Sequence, residues 1–246
     1  MTVIAVVNCN TSTAMTDTIA AGARAVALPG TRILPLTPSW GVASAEGWFD
    51  SFLSAAAVLD LLQNLDQPVD GVVMAGFGEH GREGARELLD VPVVDITEAA
   101  ALYALVLGRR FGVVTTLARA AGQIEDSLRT AGLLDRCAGV FATGLGVLDL
   151  ERDPAATEEA FLDAARRAMA AGAEVICLGC AGMSGLDTRM ADRLGIPVVD
   201  GVSCAVGLVE SLAHRRLTTS KSGTYAAPLP KLRTLGPGVQ GGERGA

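Results

Sequence analysis

Short continuous apolar runs alternate along this chain with longer stretches whose apolar positions recur at helical spacing, a pattern that predicts an α/β fold. The runs at Val3–Val7, Thr31–Leu36, Val69–Met74 and Val91–Val94 predict strands of the first half. Helices are expected between them, up to about Gly22–Ala27, over Ser51–Leu65, around Arg82–Leu89 and over Glu98–Leu107. The second half repeats the alternation. Strands are expected at Phe111–Val114, Ala138–Ala142, along the apolar run from Glu174 that leads to Cys180, and at Val198–Val199, with helices over Ala118–Ala131, Thr157–Ala171, Asp187–Leu194 and Ser203–His214. Each strand leading into a helix implies parallel sheets with helices on both faces.

The two halves share an internal repeat. Val91-Pro92-Val93-Val94-Asp95 matches Ile196-Pro197-Val198-Val199-Asp200, Met74-Ala75-Gly76 aligns with Leu178-Gly179-Cys180, and Val6-Val7-Asn8 aligns with Val113-Val114-Thr115. Two copies are too few and too long for a solenoid. They predict two pseudo-symmetric Rossmann-like lobes with parallel sheets and a site in the cleft between them. The first lobe is expected over residues 1–98 with 215–235, the second over 99–214, and a flexible Gly-rich tail over 236–246.

The chemistry concentrates at Glu174-Val175-Ile176-Cys177-Leu178-Gly179-Cys180-Ala181-Gly182-Met183. Open α/β sheets bind ligands beyond the carboxyl ends of their strands, and the small residues after Cys180 leave backbone N–H groups uncovered for an anion. By the repeat, Gly76 occupies the equivalent loop across the cleft, with Asn8 and Thr115 at the neighbouring strand exits.

Composition narrows the partners. Half of the 246 residues are hydrophobic and 19% are charged, enough for a sizeable core. A net charge of −7 supplies no basic stripe for nucleic acid. No apolar run reaches the roughly 18 residues of a membrane span, and the N-terminus runs into a strand without the basic region of a signal peptide. Five scattered cysteines (Cys9, Cys137, Cys177, Cys180 and Cys204) point to free thiols in a reducing cytoplasm. Cys177 and Cys180 have C-x-x-C spacing, but no second pair completes a zinc set, and Cys177 reads as core. No metal is expected.

Several segments resemble the aspartate/glutamate/hydantoin racemase superfamily, in its hydantoin and allantoin racemase branch. They are Val7-Asn8-Cys9-Asn10-Thr11-Ser12, Gly112-Val113-Val114-Thr115-Thr116-Leu117-Ala118-Arg119, Leu178-Gly179-Cys180-Ala181-Gly182-Met183 and Leu217-Thr218-Thr219-Ser220-Lys221-Ser222-Gly223-Thr224-Tyr225-Ala226. The resemblance spans about Val3 to Pro230. It implies a homo-oligomeric enzyme without cofactor, in which one thiolate removes a proton next to a carbonyl and an opposite thiol returns one to the other face. One departure stands out: the family's first cysteine falls on Gly76. Glycine moves no proton. Arylmalonate decarboxylases of the superfamily similarly keep the second-lobe cysteine with glycine opposite.

The expected function is therefore a hydantoin-racemase-like isomerase acting on a small molecule, with Cys180 as acid/base. A one-cysteine decarboxylase of a malonate-type acid and a catalytically silent small-molecule binder are the alternatives. Cys9, where the family opening usually has proline, and the loop residue His80 are the candidates for the missing first-lobe base. Asn10, Ser12, Thr115 and Thr116, with Gly76 and the backbone N–H groups of Phe77, Gly78, Ala181 and Gly182, are candidate substrate ligands. Thr11, Ser12 or Thr13 is expected to cap the first helix, and Glu98 and Asp200 to cap later ones. Trp40, Trp48 and Phe49 either wall the cleft or pack on the core.

Overall fold

A computed structural model describes residues 1–150, 152–183, 185–235 and 239–240. The first lobe runs β1 (Thr2–Asn8), α1 (Thr13–Val26), β2 (Thr31–Leu36), α2 (Trp48–Gln63), β3 (Gly71–Ala75), α3 (Arg82–Leu88) and β4 (Val93–Asp95). After α4 (Ile96–Leu107), the second runs β5 (Phe111–Thr115), α5 (Ala121–Thr130), β6 (Cys137–Ala142), α6 (Pro154–Ala170), β7 (Val175–Leu178), α7 (Asp187–Leu194), β8 (Val198–Asp200) and α8 (Gly201–His214). The strand orders, β2-β1-β3-β4 and β6-β5-β7-β8, are the same order twice, and every neighbouring pair within them is parallel. The repeat read from the sequence is thus a repeat of topology.

The central strands are apolar runs because both faces are covered. Ile4, Val6, Val73, Phe111, Val113, Val175 and Cys177 join helix residues such as Ala100, Val202 and Val206 in one buried cluster shared by the lobes. This sharing comes from two crossed helices. α4 packs on β7 as well as on α8, and α8 packs on β3, β1 and α1. α8 thus packs on strands of the first lobe as well as on α4 and β8. The outer faces carry separate cores: Phe161, Leu162 and Ala165 of α6 cover one sheet, and Val58 and Leu62 of α2 cover the other.

Local chemistry sets the helix starts. Ser12 caps α1, its side chain accepting from Met15 N at 3.2 Å. Asp153 caps α6 ahead of Pro154. Asp95 and Asp200 occupy equivalent places at the ends of β4 and β8, each accepting from two backbone N–H groups of the helix that follows. The cap of α4 is thus Asp95 and not Glu98. Glu98 lies one turn in, with its carboxylate on Arg86 at 2.6 Å.

Residues 217–226 strap the outside of the first lobe. Thr219 Oγ1 donates to the Val91 carbonyl at 2.7 Å, and Lys221 Nζ donates to the carbonyls of Arg86 and Glu87 at the end of α3. Of the expected tail, residues 236–238 and 241–246 lie outside the described residues, while Val239–Gln240 pairs antiparallel with Thr234–Leu235. Among the described residues no helix is long and apolar enough to cross a membrane.

Asp200 also accepts from Ser203 Oγ at 2.6 Å, so its carboxylate satisfies three donors at the start of α8. Asp200→Ala is expected to cost about 1–2 kcal/mol in urea unfolding, and Asp200→Asn, which keeps an acceptor oxygen, only a fraction of that.

Candidate active site

The carboxyl ends of both sheets face one cavity. Pairing of β1 with β3 ends at Asn8 and Ala75, so Cys9 and Gly76 leave the sheet side by side. Pairing of β5 with β7 ends at Val114 and Leu178, and Thr115, Thr116, Gly179 and Cys180 follow. Cys9, Asn10, Gly76, Phe77 and His80 from the first lobe meet Thr115, Thr116, Cys180 and Ala181 from the second around a cavity of about 40 Å³. A larger groove, about 250 Å³, lies outside the cleft between Arg86, Pro92, Leu212 and the strap. It holds no thiol or imidazole, so the chemistry belongs to the smaller cavity.

The first-lobe wall is the loop 76–81. Ser51 and Gln123 hold it: Ser51 Oγ donates to the Glu79 carbonyl and lies 3.1 Å from His80 Nδ1, while Gln123 Nε2 donates to Ser51 Oγ and to the Glu79 carbonyl. Gln123 belongs to α5, so the second lobe clamps a loop of the first. The Gly78 N–H, expected to face substrate, donates instead to Thr97 Oγ1 at 2.8 Å, and Ser127 Oγ donates to the Gly78 carbonyl. Gly78 has φ of 122°, a left-handed value that suits glycine. Gly76 has no such φ, yet a Cβ there would come within 2.4 Å of His80 Cδ2 and 2.9 Å of Cys9 Sγ.

The second-lobe wall is the turn after β7. Gly179 N–H donates to the Val114 carbonyl at 2.7 Å, and a Cβ on Gly179 would strike that carbonyl at 2.8 Å. Half-buried Cys180 then opens a 3₁₀ turn over Ala181–Met183, which contains Gly182, and Met183 N–H donates to the Cys180 carbonyl. Thr115 Oγ1 donates to the Gly179 carbonyl at 3.3 Å. Ser12 is spent on its cap and does not line the cavity. Asn10 does, with its Oδ1 accepting from Asn8 and from Ser12 N–H and its Nδ2 donating to Met15 Sδ at 3.2 Å, so the second amide hydrogen is what remains for a ligand. Cys177 is fully buried in the core, as its place inside the strand implied.

Electrostatics separates the candidate bases. Burial pushes the Cys9 thiol up to about 12, and the nearby Cys180 pushes it the same way, so Cys9 is a protonated thiol at neutral pH. Burial pulls His80 down to about 4, which keeps its imidazole neutral. Behind the loop lies a charge cluster that sequence gave no sign of. Arg82, 1% exposed, faces Glu79, Glu83, Asp95 and Glu98 within 4 Å, and Arg86 shares Glu83 and Glu98. Burial pushes Asp95 up to about 7 against the pull of Arg82. Among the described residues, no group of three or more His, Cys, Asp or Glu side chains is arranged to hold a metal ion.

The site therefore unites Cys9, Asn10, Gly76, Phe77, His80, Thr115, Thr116, Cys180 and Ala181. Sequence reasoning missed Ser51, Gln123 and Thr97, which hold the loop from helix faces that read as ordinary amphipathic surface. The aromatics divide. Trp40 Nε1 donates to Asp60 at 2.7 Å, whereas Trp48 and Phe49 are exposed at the start of α2.

A histidine whose folded pKa is lowered from 6.5 to about 4 costs stability as pH falls, because only the unfolded chain takes up the proton in that window. Relative to the parent protein, His80→Gln is expected to gain on the order of 3 kcal/mol between pH 6.5 and 4, read from chemical unfolding at stepped pH. Asp95, with its pKa raised, acts oppositely, its contribution fading as pH rises toward 7.

Comparison with known proteins agrees with this architecture. The family model described as Asp/Glu/Hydantoin racemase matches residues 4–209. A hydantoin racemase of Pseudomonas sp. (strain NS671) is 38% identical over 93% of this chain and 92% of its own, and that of Rhizobium meliloti is 39% identical over 92% and 94%. The solved allantoin racemase of Pseudomonas fluorescens superposes with a TM-score of 0.93 at 56% identity, covering 95% of this chain and 100% of that one. Arylmalonate decarboxylase, at 22% identity, covering 86% of this chain and 92% of its own with a TM-score of 0.60, shares the fold. The chain belongs to the Asp/Glu/hydantoin racemase family of isomerases.

Proposed function

We propose that the protein is a cofactor-independent racemase of hydantoin-type rings, allantoin among them, working at a C–H bond acidified by a neighbouring carbonyl. The observation that carries this reading is the meeting of Cys180 from one lobe with Cys9 and His80 from the other in a single cavity at the strand ends. Removal of a proton beside a carbonyl makes a planar enolate, and inversion needs acid/base groups on both faces of it. Cys180 serves the second-lobe face. The Asn10 amide and the Thr116 hydroxyl, which line this cavity, are proposed to hold ring carbonyl oxygens together with backbone N–H groups of the loops after β3 and β7. The names of the relatives supply the ring: they are hydantoin and allantoin racemases, and allantoin is itself a 5-substituted hydantoin.

Gly76 favours a second reading. With no side chain at that position, a one-thiol enzyme would release carbon dioxide from a malonate-type acid and use Cys180 only to protonate the resulting enediolate. The two readings part in heavy water. Enantiopure 5-substituted hydantoins and allantoin are expected to lose optical rotation while taking up deuterium at the stereocentre, with no carbon dioxide released from an arylmalonate. Release of carbon dioxide without racemisation would hand the site to the decarboxylase reading, and inertness towards all of these would leave a binder. Cys180→Ala is expected to lower kcat/KM for racemisation by about a thousandfold or more while leaving the unfolding transition in place.

A further inference from the structure

We propose that Cys9 is the first-lobe acid/base, its thiol standing where a side chain at position 76 would otherwise sit; this rests on the racemase reading above. The glycine at 76 is explained by space and not by backbone freedom. Its φ is not left-handed, yet a Cβ there would meet Cys9 Cβ at 2.7 Å and Cys9 Sγ at 2.9 Å. Side-chain carbons essentially never approach that closely, so with this backbone the space a side chain at 76 would need is already taken by Cys9 and, at 2.4 Å, by His80 Cδ2. Register explains how one position can take the place of the other. Residues 9 and 76 each lie one step beyond the last paired residues, Asn8 and Ala75, of two adjacent parallel strands. Both strand ends open on the same point of the cavity.

The repeat makes the exchange explicit. Gly76 corresponds to Cys180 and Cys9 to Thr116. In the second lobe the thiol stands on the exit of the third strand and a threonine on the first. In the first lobe the thiol stands on the exit of the first strand and a glycine on the third. Burial first and then the neighbouring Cys180 push the Cys9 thiol up, as expected of a group that shares one poorly solvated space with another thiol.

His80 is the competitor, and its surroundings give it another task. Ser51 sits on its Nδ1, and burial keeps the ring neutral. Its Cδ2 closes the other side of the vacant Cβ position, so it backs the Cys9 thiol as a positioning residue.

The proton bookkeeping closes without a co-reactant. The Cys180 thiolate takes the α-hydrogen as a proton, and the C–H electron pair moves into the enolate. The Cys9 thiol gives its proton to the opposite face, where the enolate electrons form the new C–H bond. Cys180 ends as thiol and Cys9 as thiolate, and turnover of the other enantiomer reverses the exchange.

The test follows each enantiomer separately in heavy water. Cys9→Ala is expected to lose racemisation by about a thousandfold, yet Cys180 should still exchange deuterium into one enantiomer with retention. Cys180→Ala should exchange the opposite enantiomer. A merely structural role for Cys9 would not produce that mirror pair. As a control on folding, Cys9→Ala is expected to keep the parent's unfolding transition. Racemisation by Cys9→Ala at the parent rate, or loss of exchange into both enantiomers in a Cys9→Ala protein that unfolds like the parent, overturns the assignment and leaves the racemase reading standing. A parent protein that inverts none of these substrates overturns both.

Discussion

A buried guanidinium holds the first-lobe wall in place. Arg82 has left water almost entirely, and an unpaired charge in such a place costs several kcal/mol. The carboxylates that offset this cost come from four places: the loop (Glu79), its own helix (Glu83), the end of β4 (Asp95) and the first turn of α4 (Glu98). Ser127 of the second lobe accepts a further bond from it at 3.2 Å. Through Glu83 the same cluster reaches the strap, where Tyr225 donates its hydroxyl to the carboxylate and lays its ring under Arg86. The loop 76–81 is therefore fixed from behind by charge, and the cavity in front of it inherits that placement. Burial drives Asp95, the most deeply buried acid of the cluster, towards neutrality, and neighbouring Glu98 adds to this against the pull of Arg82.

The crossed helices α4 and α8 decide where this wall can move. They fuse the lobes into one core on the side away from the strand ends. On the open side the lobes touch through polar contacts: Val147 N–H donates to Glu46 at 3.0 Å, and Gln123 and Ser127 reach the loop 76–81. The cavity in front of these contacts is about 40 Å³ in this structure. The polar contacts are the ones that can be exchanged for water at small cost. The apolar seam behind them is not.

Much of this was legible in the sequence, for a physical reason. Parallel strands buried on both faces must be apolar runs, and the repeat of Val-Pro-Val-Val-Asp with Pro-Val-Val-Asp fixed the matching of β4 with β8 before any coordinates. The strand exits followed, and with them Cys9, Gly76, Thr115 and Cys180. What stayed hidden depends on contacts between elements far apart in the chain. Glu98 looked like a cap because it precedes an apolar helix, but Asp95 has the extended backbone a cap requires. Nothing local in Arg82-Glu83 or Arg86-Glu87 reveals that the strap and α4 pack against this helix. The Gly78 amide looked free because its acceptor, Thr97, lies on a different element.

The place of the thiol shows what such a scaffold conserves and what it leaves open. Adjacent parallel strands end within a side chain's reach of each other, about 4.8 Å apart, so neighbouring exits are near-equivalent points of attachment for a reactive group. Cys9 after β1 and residue 76 after β3 line the same cavity. In this backbone a Cβ at 76 would lie 2.7 Å from Cys9 Cβ and 2.4 Å from His80 Cδ2, so the space belongs to those two side chains. Position 76 alone, read as a sequence letter, reports a lost cysteine. Read with its neighbour across the register, Asn8 against Ala75, it reports a vacancy that residue 9 fills.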